Sequence, residues 1–337
     1  MKEFIKYQYT LGIATMTGRG FYYPVDVGIA SNNRLYVLGR SHEGDTSGIQ
    51  VCMMDHNSEY YGIFGSAGKS DGQFIWTTSI ALDNQNNIYV SDEYLNRISI
   101  FDSSGKFLKK WGTPGNKTGQ LNGPSGMAFD SNENLYIVDH KNNRIQKFSR
   151  NGDYISSFGS EGSDYGQMKL PWGITIAPDD NVYIADWGNN RIQSFTPSGK
   201  FVTSIGISGN GYGELHRPSS VAVDHEGFVY VADWGNDRIQ VFDKYGNFVT
   251  ATRGESTLSP WAQEYFNANV EEKELRDKSN LEPNINSLNV ATRDESYHIE
   301  KHFWAPVSVK LDNSGRILVT DRNRHRIQVY KRTQNYK

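Results

Sequence analysis

The 337-residue sequence predicts an all-β protein, a six-bladed β-propeller of four-stranded antiparallel blades closed by its N-terminal strand. Three observations predict it. A loop signature headed by Asp92, Asp139, Asp186 and Asp233 recurs at a constant 47-residue step and returns at Asp321; periods of this size mark stacked supersecondary units. Thirty-three glycines, twenty tyrosines and sixteen phenylalanines, spread along the chain, suit many short strands joined by tight turns. Finally, the last repeat stops after three strands, and a strand of the missing type stands at the other end of the chain.

The fifth unit shows the four strands most clearly. Ser219–Asp224 is strand a, Phe228–Ala232 strand b, Arg238–Phe242 strand c and Asn247–Thr250 strand d, all β-branched and aromatic runs bounded by Gly, Asn and Asp. The first unit opens at Tyr23-Pro24-Val25 but has lost the signature: Gly39-Arg40 stands where the Asp belongs and Gly48 where the Arg belongs, and its b–c loop is longer. The last unit ends at Gln328-Val329-Tyr330. Fourth strands here run from an aromatic residue to an apolar-Gly pair, as in Phe107 to Trp111-Gly112, and Tyr7 to Leu11-Gly12 has the same form. The N-terminal strand is therefore expected to complete the last blade, removing the exposed edges of an open array. The chain reads as one domain over 1–337, with an inserted segment at 254–303.

The signature, written Tyr-(Val/Ile)-x-Asp-x-x-Asn-x-Arg-Ile with the Asn shifting by one place, resembles the NHL repeat; Tyr230–Phe242 is close to that family's consensus. The resemblance implies the propeller fold and is compatible with amidating lyases, sensor domains and RNA-binding modules. The amidating lyases of this repeat class use zinc-binding histidines where strand a opens. Here those positions hold Val25, Thr78, Ser125, Trp172, Ser219 and Val307, so no metal site and no cofactor is expected.

The repeated Asp and Arg are read as blade architecture, each carboxylate bracing a neighbouring loop. Residues that differ between equivalent positions carry the functional information. In an up-and-down meander the b–c and d–a loops share one end of the ring, and there the differences gather. After the signature Asp stand Glu93-Tyr94, His140-Lys141, Trp187, Trp234 and Arg322, with Arg40 at the degenerate site. Before strand a stand Trp76, Trp172, His216 and Trp304. The candidate catalytic residues are His140, Lys141, Tyr94, Glu93 and Arg322; the candidate ligand-binding residues are Arg40, Trp76, Trp172, Trp187, His216, Trp234 and Trp304.

The insertion adds 41 residues between strand d of blade five and strand a of blade six. Ser259-Pro260 predicts a helix start, and Trp261, Tyr265, Phe266 and Leu275 an apolar stripe on a helix reaching about Lys278, lidding the same mouth. From 255 to 302 there are ten acidic and five basic residues.

A net charge of −3 and this acidic segment disfavour nucleic acid. The single Cys52 excludes an intrachain disulfide, and no stretch has membrane-span length, so a cytoplasmic protein with no membrane partner is expected. The oligomeric state is left open. An aromatic pocket beside acids and bases suggests a small-molecule enzyme of lyase, cyclase or hydrolase type. The alternatives are a non-catalytic ligand- or protein-binding propeller and, less favoured, an RNA-binding module.

Overall fold

The alternating strand pattern closes into a ring. The structure, a computed structural model, describes residues 4–41, 46–284 and 292–333. Six four-stranded sheets follow one another in chain order, each an antiparallel meander. The sixth consists of Pro306–Leu311, Arg316–Asp321, Arg326–Arg332 and, outermost, the N-terminal strand Ile5–Leu11. Tyr7 pairs with Tyr330 and Leu11 with Ile327, with a bulge between Tyr7 and Tyr9. The expected closure is what the chain does.

The core is divided among the junctions between blades. Tyr36, Leu38 and Val51 of blade one meet Ile80, Ile88 and Val90 of blade two, and Tyr136, Val138 and Ile145 of blade three meet Ile174, Val182 and Ile184 of blade four. Each side chain buried this way contributes about 1.5–3 kcal/mol, so the blades hold one another and no single blade is a complete core.

The signature wires the loops at one end. Asp139 Oδ2 accepts from Arg144 Nε at 2.8 Å and from Asn142 Nδ2 at 2.8 Å, while Oδ1 accepts the Asn122 N–H at 2.6 Å. Arg144 donates onward to the carbonyls of Lys117 and Gln120. The same set recurs around Asp186–Arg191 and Asp233–Arg238, and around Asp321–Arg326 without the asparagine donor, whose place Arg324 takes. In blade two, Asp92 instead takes the backbone N–H groups of Ile75 and Trp76, and Arg97 grips the carbonyls of Lys69, Ser70 and Gln73. The buried carboxylates thus pin each d–a loop to its b–c loop, as the repeated pattern implied.

A second device joins blade to blade. The residue before the signature Arg adopts a left-handed backbone in Asn96, Asn143, Asn190, Asp237 and His325. From there its side chain accepts a backbone N–H of the next blade: Gly123, Leu170, Arg217, Ala305 and Tyr23 respectively. Blade one lacks the Asp–Arg pair, with Gly39 and Gly48 at its two positions. A Cβ on its Gly39 would sit 2.3 Å from the Gly48 carbonyl, and one on Gly48 2.6 Å from the Tyr22 Cβ, so Tyr22 fills the space the Asp–Arg pair vacates. Asp26 substitutes from the channel side. It accepts from Ser79 Oγ of blade two at 2.8 Å and Ser308 Oγ of blade six at 2.6 Å, and pairs with Lys310 at 3.5 Å.

The insertion differs from expectation in two ways. Ser259 is the N-cap, accepting from the Ala262 N–H, and Pro260 opens the helix, but the helix breaks at Asn269 into α1 (Pro260–Ala268) and α2 (Val270–Lys278). Nor does α1 lie over the mouth. It descends the outer wall, where Trp261 is buried at the junction of blades six and one, its indole N–H donating to the Ser58 carbonyl at 2.7 Å. Thr257 and Ser259 bond to Tyr7 and Gly12 of the closing strand. Leu275 and Tyr265, expected in an apolar stripe, are exposed, because the break at Asn269 puts Leu275 on a second helix and α1 turns Trp261 into the wall. A short helix, α3 (Thr292–His298), sits at the rim above blade six, where Arg324 donates to the carbonyls of Ser296, Tyr297 and Ile299. Residues 285–291 of the expected lid, and 42–45 of the long b–c loop, lie outside the described residues.

Candidate functional site

At the b–c/d–a end the ring opens into a cavity of about 560 Å³, a size suited to a small organic ligand. Every blade contributes to its wall. Val25 and Arg40 come from blade one, Trp76 and Thr78 from blade two, His140 from blade three, Leu170, Trp172 and Trp187 from blade four, Ser219 and Trp234 from blade five, and Val307 and Arg322 from blade six. Trp172 forms the floor: below it the channel narrows to about 20 Å³ among Asp26, Ser79, Ser308 and Lys310.

Of the expected residues, Arg40, Trp76, His140, Trp172, Trp187, Trp234 and Arg322 meet at this wall. Trp187 and Trp234 lie 6.5 Å apart between ring centroids, and Arg40 rides 5.1 Å over Trp76. Glu93 stands behind the wall, buried, its carboxylate bridging Arg40 at 3.3 Å and Lys141 at 3.1 Å. Lys141 is therefore engaged outside the cavity. Tyr94 is 53% exposed and packs edge-on to the back of Trp76. His216 is an exposed rim residue. Trp304 packs against Tyr297 of α3 and under Arg324, away from the cavity. No described residue of 254–303 lines the cavity.

His140 is buried in a short 3₁₀ turn, its ring edge-on to Trp172 with centroids 4.9 Å apart. Its Nδ1 lies 3.0 Å from the Pro171 carbonyl. A carbonyl only accepts, so Nδ1 carries the hydrogen and Nε2 keeps its lone pair. Burial pushes the imidazole below its ordinary pKa, with the Pro171 carbonyl and Glu93 opposing. The ring is neutral near pH 7.

Arg322 occupies the same loop position three blades away, hence on the opposite wall. Its side chain is half-buried, its Nε is buried with no hydrogen-bond partner, and no carboxylate pairs with it among the described residues. The nearest compensation is the face of Tyr23, 5.6 Å from the guanidinium carbon. Burial, and then the like charge of Arg40, hold Arg322 down to about 10. Among the described residues no three His, Cys, Asp or Glu side chains converge to hold a metal ion.

The residues missed in the sequence reading include Leu170, Ser41 and Asp26, whose signal is only that they depart from their blade equivalents. His325 was also missed, although the Asn at its equivalents in blades three and four was in plain view. Its Nδ1 accepts the Tyr23 N–H and its ring stacks on Tyr22 at 4.7 Å, just behind Arg322.

Comparison with known proteins agrees with this geometry. The NHL repeat model matches residues 121–148 and 303–330, and a family described as a 6-bladed beta-propeller matches 174–275. Among solved structures, virginiamycin B lyase from Staphylococcus aureus with quinupristin superposes with a TM-score of 0.59 at 13% identity, over 98% of this chain and 100% of that one. A streptogramin B lyase gives 0.57 at 10% identity, over 98% of each. A Bacteroides thetaiotaomicron protein of unknown function gives 0.59 at 16%, over 97% of this chain and 75% of that one. No curated protein matches the chain in sequence. No helix among the described residues is long and apolar enough to cross a membrane. At these identities the likeness is one of fold, and with the matched repeats and the closed ring it identifies the chain as a six-bladed β-propeller carrying NHL repeats.

Proposed function

We propose that the cavity is the active site of a small-molecule enzyme of lyase, cyclase or hydrolase type, with His140 as its general base. The observation that carries the reading is the state of His140: buried in the wall, neutral, its Nδ1–H fixed by the Pro171 carbonyl so that Nε2 is the basic nitrogen. A base held this way needs no reorientation before proton transfer. In the lyase variant Nε2 takes a proton from a carbon beside a carbonyl. The electron pair left behind forms a double bond as the bond to a β-substituent breaks, and the imidazolium returns its proton to the departing atom. The four tryptophans supply flat apolar walls that exclude water from the ligand. The lyases of similar fold share too little sequence to carry residue roles across, and the support for this reading is His140 itself.

The test is turnover of a panel of aromatic esters, lactones and β-substituted carbonyl compounds, followed by mass spectrometry with the wild type and His140→Gln. A converted member should lose at least about 100-fold in kcat on substitution, with a pH profile that falls through one ionisation below the ordinary histidine value. Undiminished turnover by His140→Gln would sink the assignment.

A second reading, binding without chemistry, is favoured by one observation. Glu93 and Lys141 are engaged with each other behind the wall, leaving His140 as the sole proton-transfer group of the expected set at the cavity. It predicts tight binding with no product from any bound member of the panel.

A further inference from the structure

We propose that the mouth of the propeller is a carboxylate site, and that its ligand is a planar aromatic carboxylate that docks on Arg322. The proposal rests on the reading of the cavity as a small-molecule site and adds the class of molecule it takes.

A guanidinium with a buried, unbonded nitrogen and no counter-charge is costly, and buried charges are ordinarily paired. Arg144, Arg191, Arg238 and Arg326 each have a buried aspartate, Arg40 has Glu93, and Arg97 and Arg324 donate to backbone carbonyls. The side chain of Arg322 has neither kind of partner among the described residues. It occupies the position that in blades four and five holds Trp187 and Trp234, so no repeat architecture requires an arginine there. Its Nε is buried and unbonded, and its neighbour across the junction of blades six and one is a second cation, Arg40. The aromatic face of Tyr23 offers a partial counterpart only. A ligand anion is the missing partner.

The rest of the wall defines the anion. Arg322 is one unpartnered fork, and a fork matches the two oxygens of a planar carboxylate. Arg40 and Lys141 share Glu93, which leaves Arg322 as the wall cation with no carboxylate beside it among the described residues. Four tryptophans share the wall with Val25, Leu170 and Val307, which suits a flat ring system better than a tetrahedral dianion such as phosphate.

The probes are naphthalene-1-carboxylate and naphthalene-1-methanol, which share a ring and differ in charge, titrated calorimetrically into the full chain at constant ionic strength. The wild type should bind the carboxylate roughly tenfold or more tighter than the alcohol, the factor expected of a charge-assisted bidentate pair. Arg322→Gln should abolish that preference while keeping alcohol binding, and should melt at or above the wild-type temperature because an unpaired buried charge has been removed. Arg322→Lys should retain part of the preference. Failure of the carboxylate to bind at millimolar concentration, equal binding of the two probes by the wild type, or a preference that survives in Arg322→Gln overturns the proposal. Displacement of the carboxylate by inorganic phosphate at equal concentration overturns it as well. His140→Gln separates the two readings: it should leave the carboxylate preference intact, so loss of the acid–base chemistry and loss of the anion site show up in different variants.

Discussion

His325 Nδ1 accepts the backbone N–H of Tyr23 at 2.9 Å, so a histidine joins blade six to blade one where asparagine or aspartate joins the other stapled pairs. The bond requires an unprotonated Nδ1. Burial first, then the Arg322 charge, push His325 down to about 4.

This makes one junction pH-sensitive. The folded state disfavours the proton that the unfolded chain accepts near the ordinary histidine value of about 6.5, so the contribution is fully present above that pH. It declines as pH falls from about 6.5 to about 4, by up to about 3 kcal/mol. His325→Asn keeps an acceptor in the left-handed conformation that Asn143 and Asn190 already adopt. Urea unfolding at several pH values should show a shallower loss of stability on acidification in His325→Asn than in the wild type. The comparison isolates this group from His140 and His302, whose values burial also lowers.

Glu93 sits behind the cavity and raises the basicity of His140 from there. Glu93→Gln removes its charge and leaves Arg40 and Lys141 without their shared partner. The His140 value should fall further, read by titrating its ring proton in NMR spectra. An unchanged titration would show that Glu93 acts only on the two cations.

Trp261 is the one buried side chain of α1. Trp261→Ala should cost about 3–5 kcal/mol, the range for emptying a buried aromatic site, whereas Leu275→Ser, at a position 68% exposed, should be near neutral. Thermal melts of the two variants decide between an anchor at Trp261 and a helix held along its length.

The blades and their closure were legible because the 47-residue step aligns equivalent positions and exposes every departure from them. Arg40, Trp76, His140, Trp172 and Arg322 could be assigned to one mouth for that reason, since loop order in a meander fixes the end of the ring. What the loops do there was not legible. Lys141 and Glu93 look like chemistry in sequence, and only in three dimensions do they close on each other. The course of the insertion was hidden for a related reason. An apolar stripe says that a helix packs, not on what, and the crevice that receives Trp261 is made by Leu11 and Val329, which lie at opposite ends of the chain. The unpaired state of Arg322 is a property of its surroundings and leaves no mark in the sequence.

The pairing of Leu11 with Ile327 has a kinetic meaning. Its two partners come from opposite ends of the chain, so the contact that closes the ring carries a high contact order and forms slowly. During synthesis the first strand must wait, exposed and unpaired, until blade six emerges. Tyr7, Tyr9 and Leu11 are thus the segment of this chain most open to wrong partners before it folds, and a holding chaperone would find them first.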